Sequence, residues 1–239
     1  MLYYHWHWFK RSQHHSRMER IFIEGHKIEK EIRLIMRERG AIFHDDVDDT
    51  GEQIRVSHTG GHAGGSVDGV FTWPSVGITE KMLLEAKSSK SSAFNTVAKE
   101  GVMAAKAQHY AQQSGYGYKL NIKYACYIMR NKDTSALHIE IVELDWSLAA
   151  ELEKRAEFII LSNTPPNRIS KKRNYYVCNM CDYQSVCHDG EKPIPNCRNC
   201  VHCLPDQNAS FTCTKWNAVI PNKAALIAGC AAHESLPWQ

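Results

Sequence analysis

The chain has 239 residues, 43% of them hydrophobic and 23% charged, with a formal net charge of +3. These proportions are those of a globular protein with room for one full core and a small appended module. No apolar run approaches the ~20 residues of a membrane span, and so mild a charge neither requires nor excludes a nucleic-acid partner.

The chain starts with an aromatic, His-rich stretch that includes His5, His7, His14 and His15. It lacks the basic start, continuous apolar centre and small-residue cleavage site of a signal peptide. Residues 1–17 are read as a disordered extension with no role in the fold. Residues 19–39 predict an amphipathic helix: Ile21, Ile28, Ile32, Ile35 and Met36 form a stripe, and Gly40 ends it. Short strands are expected over 41–47 and 53–57, separated by the turn Asp48-Asp49-Thr50-Gly51. The Gly-rich run 59–65 reads as a flexible loop.

Residues 66–72 and 81–88 predict strands, 93–114 a helix, 120–129 and 137–144 two more strands, and 146–161 a last helix. That order predicts an α/β fold, with a mixed central β-sheet flanked by helices. The core spans 18–163. Residues 164–173 form a linker ending in Lys171-Lys172-Arg173, 174–215 a cysteine-rich metal-binding module, and 216–239 a tail.

Seven of the nine cysteines lie between Cys178 and Cys213; only Cys126 and Cys230 fall outside. A secreted disulfide scaffold would be short and cysteine-studded throughout. The clustering suits metal ligation in a reducing compartment, which points to the cytoplasm. The candidate ligands are Cys178, Cys181, Cys187, Cys197, Cys200 and Cys213, with His188, His202 and Cys203 as further donors. Each CxxC pair sets two thiolates on one tight turn, and seven cysteines with a histidine are enough for two tetrahedral zinc sites. Lys171, Lys172, Arg173, Lys192 and Arg198 give this region a charge that suits a DNA backbone.

The other chemistry-bearing residues are carboxylates. Asp68 ends the run Gly65-Ser66-Val67-Asp68. Glu85 follows Leu83-Leu84, and Lys87 shares its side-chain parity on a strand. Carboxylates on adjacent strands can hold Mg2+ or Mn2+ with positions left open for water and phosphate. A lysine beside them can orient water or stabilise phosphate charge. A charge within a buried strand is costly unless it has a task.

In family order the chain shows Glu29 on the first helix (with His26 nearby), Gly65-x-x-Asp68, Leu84-Glu85-x-Lys87, and Gln108 on a later helix. This pattern resembles the PD-(D/E)xK nucleases, in their RecB-type and lambda-exonuclease-like branch, over roughly residues 19–145. The resemblance implies a restriction-endonuclease-like core and Mg2+-dependent DNA hydrolysis. It implies metal ligation by Glu29, Asp68 and Glu85, catalysis with Lys87, and positioning by Gln108. The tyrosine expected four residues after that glutamine is replaced by Gln112; Tyr110 and Tyr116 lie off its register. DNA is the implied partner, with a recombination or replication protein as a second. An exonuclease or end processor is the leading expectation. A restriction-like endonuclease and an inactive zinc-containing nucleic-acid-binding protein are the alternatives.

The triplet Cys178-x2-Cys181-x5-Cys187 is also similar to that of iron–sulfur nucleases, in which a 4Fe–4S cluster takes a fourth cysteine from far upstream. Here that thiolate would have to come from Cys126 or from 197–213. The second half, Cys197 to Cys213, resembles the zinc-finger-like tail of phage-encoded nucleases. Zinc is the first expectation and iron–sulfur the alternative.

Overall fold

The computed structural model describes residues 2–10, 16–44 and 53–238. The expected turn at 48–51, the far end of the strand expected over 41–47, and His14 and His15 lie outside these residues. The elements in order are α1 (Leu2–Trp6), α2 (Ser16–Glu38), β1 (Ile42–Phe43), β2 (Arg55–His58), β3 (Ala63–Ser66), β4 (Gly69–Trp73) and β5 (Ile78–Ser89). There follow α3 (Ser91–Glu100), α4 (Val102–Ala105), α5 (Ala107–Leu120), β6 (Tyr124–Asn131), β7 (Leu137–Glu143) and α6 (Trp146–Leu161). The cysteine-rich part adds α7 (Tyr176–Asn179), α8 (Gln184–His188), β8 (Cys203–Pro205), β9 (Phe211–Cys213), β10 (Ala218–Val219) and α9 (Lys223–Ala228).

Two compact units emerge: His14–His58 with Gly64–Glu153, and Met1–Gln13 with Thr59–Ala63 and Lys154–Gln239. The first is the α/β unit. Its five-stranded mixed sheet runs β1-β4-β5-β6-β7. The β5–β6 pair is parallel and the other pairs are antiparallel. β5 is buried along Met82–Ala86 because it is central and covered on both faces. Leu83 packs into one cluster with Val70, Val97, Tyr110, Tyr116 and Tyr127. Leu84 and Ala86 pack into another with Ile32, Met36 and Phe71. Alternation along β5 therefore directs Leu83, Glu85 and Lys87 to the α5 face and Leu84 and Ala86 to the α2 face.

Three local expectations differ from what the chain does. The helix expected over 93–114 is three pieces. Gly101, at φ 79, ends α3, and Lys106, at φ −140 and ψ 55, separates α4 from α5. Asn121, at φ 55, closes α5 in the left-handed conformation, so the next strand begins only at Tyr124. The glycine run expected as a loop contains β3, which pairs with β2.

The second unit holds the three-stranded sheet β10-β9-β8. Residues 2–10, expected to be part of an extension without a role in the fold, belong to its core. Tyr3, Tyr4 and Phe9 cluster with Ile159, Tyr183, Val186 and Leu236. The physical reason is area: burying three large aromatic side chains offsets much of what so short a segment loses by ordering. The tail is also used, since Leu236 is 1% exposed. Tyr3→Ala should cost this unit about 3 kcal/mol. It should raise amide exchange across residues 178–203 of the full-length protein, and unchanged exchange there would contradict the packing role.

Candidate active site

Register brings the carboxylates together. β4 runs antiparallel to β5 with Gly69 opposite Leu84, which sets Asp68, just before β4, level with Glu85. The Ala86 N–H donates to Asp68 Oδ2 at 2.8 Å. The Lys87 ammonium lies 2.5 Å from Glu85 Oε1 and 3.5 Å from Asp68 Oδ2. Glu85 is only 2% exposed. Its Oε1 has the ammonium as charge partner but no aligned hydrogen bond. From α2, the buried Arg33 donates through Nη1 to the Asp68 carbonyl at 2.6 Å. Its guanidinium lies over the Phe43 ring, 4.4 Å from the centroid.

Glu29, also on α2, is half-buried and accepts from Gln53 Nε2 at 2.8 Å. His26, the other family-pattern candidate on this helix, is exposed and stands 3.5 Å from Glu29 Oε2, as a partner of that carboxylate. Burial and then the charge of Asp68 raise Glu29 above the usual carboxylate range, against the pull of Gln53 and His26. Burial pushes Glu85 up to about 7; Lys87 opposes this, and Asp68 and Glu29 add to it. Burial alone would lower Lys87, but Glu85 and Asp68 outweigh it and its pKa is raised. Three carboxylates thus repel one another around one lysine.

Gln108 is not brought to this cluster: it is exposed, and its side chain makes no hydrogen bond among the described residues. Gln112, one turn later, is exposed too, but it is tied to a residue that has the cluster as its neighbour. Gln112 Nε2 donates to the Tyr116 hydroxyl at 2.7 Å. Tyr116 is held above the ordinary phenol range by burial, with Glu85 and Asp68 adding to it. Gln112 and Tyr116 have the four-residue spacing that Gln108 lacked. The signal was present in the sequence, but the break at Lys106 sets α5 in a different phase from the long helix expected. Tyr116 also accounts for Gly65: a Cβ there would overlap the tyrosine hydroxyl. Arg33 and His109 were missed as well. His109 Nδ1 stands 2.9 Å from the Tyr127 hydroxyl, and burial, Lys87 and Lys106 lower its pKa to about 4.

The donor set of Glu29, Asp68 and Glu85 suits a hard divalent cation: all oxygens, mutually repelling, with Glu85 Oε1 lacking an aligned donor. As placed, the arrangement is a carboxylate–ammonium cluster. No group of three or more His, Cys, Asp or Glu side chains among the described residues stands at metal-holding distances.

In the cysteine-rich unit, Cys178 is buried and Cys181 and Cys187 are half-buried. The neighbour of the Cys187 thiol from the start of the chain is Tyr4. Cys126, weighed as a distant fourth thiolate, is a sheet-core residue of β6, packed with the cluster containing Leu84 and Ile128. Burial pushes its thiol up to about 12, which suits an inert apolar side chain rather than a ligand. His188 is half-buried. His202 is engaged at both ring nitrogens, with Glu234 Oε1 at 2.9 Å and Thr214 Oγ1 at 3.4 Å. Arg198, expected to serve a DNA backbone, is instead stacked over Trp6 and Trp8 at 3.7 and 4.4 Å. Arg173 is paired with Asp189 through two hydrogen bonds of 2.7 and 2.8 Å.

Two predictions follow from the carboxylate cluster. A carboxyl whose folded-state pKa is raised gives its full stability below the ordinary carboxylate range and loses it as pH rises through about 7. Glu85→Gln should therefore melt roughly 2–5 °C higher than wild type above pH 7 without divalent cations. The difference should shrink in acid; a variant that melts lower at pH 8 contradicts the burial argument. Gly65→Ala should displace Tyr116 while the fold survives, read as a changed Tyr116 environment with unchanged far-ultraviolet circular dichroism.

No protein-family model matches the chain, and no curated protein does. Among solved structures, the protein SSO0001 is similar at 15% identity and a TM-score of 0.39, over 68% of this chain and 70% of that one. The exonuclease LHK-Exo, in complex with dAMP, is similar at 17% identity and a TM-score of 0.44, over 63% and 69%. No helix among the described residues is long and apolar enough to cross a membrane.

Proposed function

We propose that the chain is a metal-dependent nuclease that hydrolyses phosphodiester bonds of DNA. The observation that carries this reading is the convergence of Asp68, Glu85 and Lys87 at one point of a buried strand pair, with Glu29 in the same field. A fold does not keep such charges in its interior without a compensating role.

In this reading Glu29, Asp68 and Glu85 hold Mg2+ or Mn2+. A cation so bound would neutralise charge at the phosphate and make a coordinated water more acidic than bulk water. The chain's own residues do the rest. Arg33 fixes the backbone of Asp68, and the Ala86 N–H orients its carboxylate. Lys87, held between Asp68 and Glu85, presents an ammonium whose N–H groups stabilise a phosphate oxygen as negative charge grows on it. Gln112 fixes the Tyr116 hydroxyl beside Gly65 and shapes the wall next to the carboxylates.

End-labelled linear DNA and circular DNA, each incubated with the protein and Mg2+ or Mn2+, provide the test. The expected result is metal-dependent cleavage that falls on the order of 10²-fold or more in Asp68→Asn and in Lys87→Ala. Loss of label from linear DNA with circular DNA intact identifies an end processor, and nicking of the circle an endonuclease. Inert wild-type protein with both metals, or variants as active as wild type, would defeat the proposal.

A further inference from the structure

We propose that a cleft in the cysteine-rich unit holds one nucleotide of a single-stranded DNA, with its base against Trp8 and its phosphate at Lys223. The choice of a DNA strand over other flat anions rests on the nuclease reading. The cleft has a volume of about 320 Å3, enough for one small ligand. Trp8 and Lys10 line it from the start of the chain, Tyr183 from just before α8, Ile194 from the loop after α8, and Lys223 and Ile227 from α9. All of these residues belong to the second unit.

The walls divide by chemistry. Trp8, Tyr183, Ile194 and Ile227 are aromatic or aliphatic, Lys10 and Lys223 are cations, and none of the described residues that line the cleft is acidic. Lys10 is already engaged: its ammonium lies 2.8 Å from Glu191 Oε2 and 2.6 Å from Ser185 Oγ. Lys223 is exposed and has neither an ion pair nor a hydrogen-bond partner among the described residues. Of the two lysines, Lys223 is therefore the one left to meet an anion. A nucleotide within a strand carries the matching pair of features, a base with a π-face and one phosphate charge. A simple anion would leave the aromatic wall without a role, and an apolar ligand would leave the lysine without one.

The aromatic wall is built at a conformational cost. Trp8 has φ 50, a left-handed conformation that is rare for so bulky a residue. Its backbone is held there on both sides. The Trp8 N–H donates to the His5 carbonyl at 3.2 Å, and the Trp8 carbonyl accepts from Asn196 Nδ2 at 3.1 Å. The Arg198 guanidinium lies over the ring, 4.4 Å from its centroid. Even so, Trp8 is only half-buried, whereas its neighbours Tyr3 and Phe9 are fully buried in the core of this unit. Tyr183 is fixed too: it is buried, and its hydroxyl stands 3.2 Å from His5 Nδ1. Rings held in this way lose little freedom when a base stacks on them.

The test uses the full-length protein without added divalent metal, so that binding is read apart from metal-dependent cleavage. A labelled oligothymidylate, single-stranded or annealed to its complement, is titrated by fluorescence anisotropy, with thymidine monophosphate as a competitor. The single strand should bind more tightly than the duplex. Trp8→Ala should weaken its binding roughly 5- to 150-fold, the loss of one base–aromatic stack. Lys223→Ala should weaken it as well, and should lower the slope of log affinity against log salt by about 0.7, one phosphate contact on a single strand. If Trp8→Ala fails to fold, the salt slope of Lys223→Ala decides, because that residue is exposed. Duplex bound as tightly as the strand, or strand binding and slope unchanged in the variants, overturns the assignment. Thymidine monophosphate competing as well as an unlabelled strand also overturns it, in favour of a free nucleotide. A protein that cleaves DNA while both variants bind like wild type loses the cleft and keeps the nuclease reading. An inert protein that binds the strand with both losses does the reverse.

Discussion

A carboxylate buried at the centre of a sheet sets the terms for the rest of the α/β unit. Glu85 has neighbours on both sides of β5 and almost no water, so its charge must be met by protein groups or by a bound cation. Lys87 meets part of it, and Asp68 and Glu29 make the remainder worse. The surrounding structure fixes this frustration in place. Arg33 and the Ala86 amide hold Asp68, Gln53 holds Glu29, and Gln112 holds Tyr116. Each restraint costs order, and none relieves the repulsion. Such clusters of mutually repelling buried charges gather at functional sites in folded proteins, which is why the proposed function rests on this one.

The cysteine-rich unit has a parallel problem with the sign reversed. There a cation, Arg198, is buried with its Nε and Nη2 lacking acceptors, and its electrostatic neighbour is the Cys203 thiol. So small a segment has little core of its own. It gains one by recruiting Tyr3, Tyr4 and Phe9 from the start of the chain and Leu236 from its end.

Much of this was legible in the sequence, for identifiable reasons. Strand parity is local, so the shared face of Glu85 and Lys87 could be read directly, as could a mixed sheet flanked by helices. The helical stripe Ile28, Ile32, Met36 on α2 was equally plain. What failed depended on breaks or on distance. Gly101 and Lys106 interrupt a stretch rich in helix formers, and the phase of α5 after those breaks favours Gln112 over Gln108. Residues 2–10 lacked helical or strand periodicity, although Tyr3, Tyr4 and Phe9 held enough apolar area to show they would not stay in water.

The most direct measurement is anomalous diffraction from crystals of the wild-type protein soaked in Mn2+. The account predicts a manganese peak bounded by the carboxylates of Asp68 and Glu85, with the Lys87 ammonium withdrawn from Glu85 Oε1. Manganese bound elsewhere while Lys87 stays in place between the two carboxylates would contradict it.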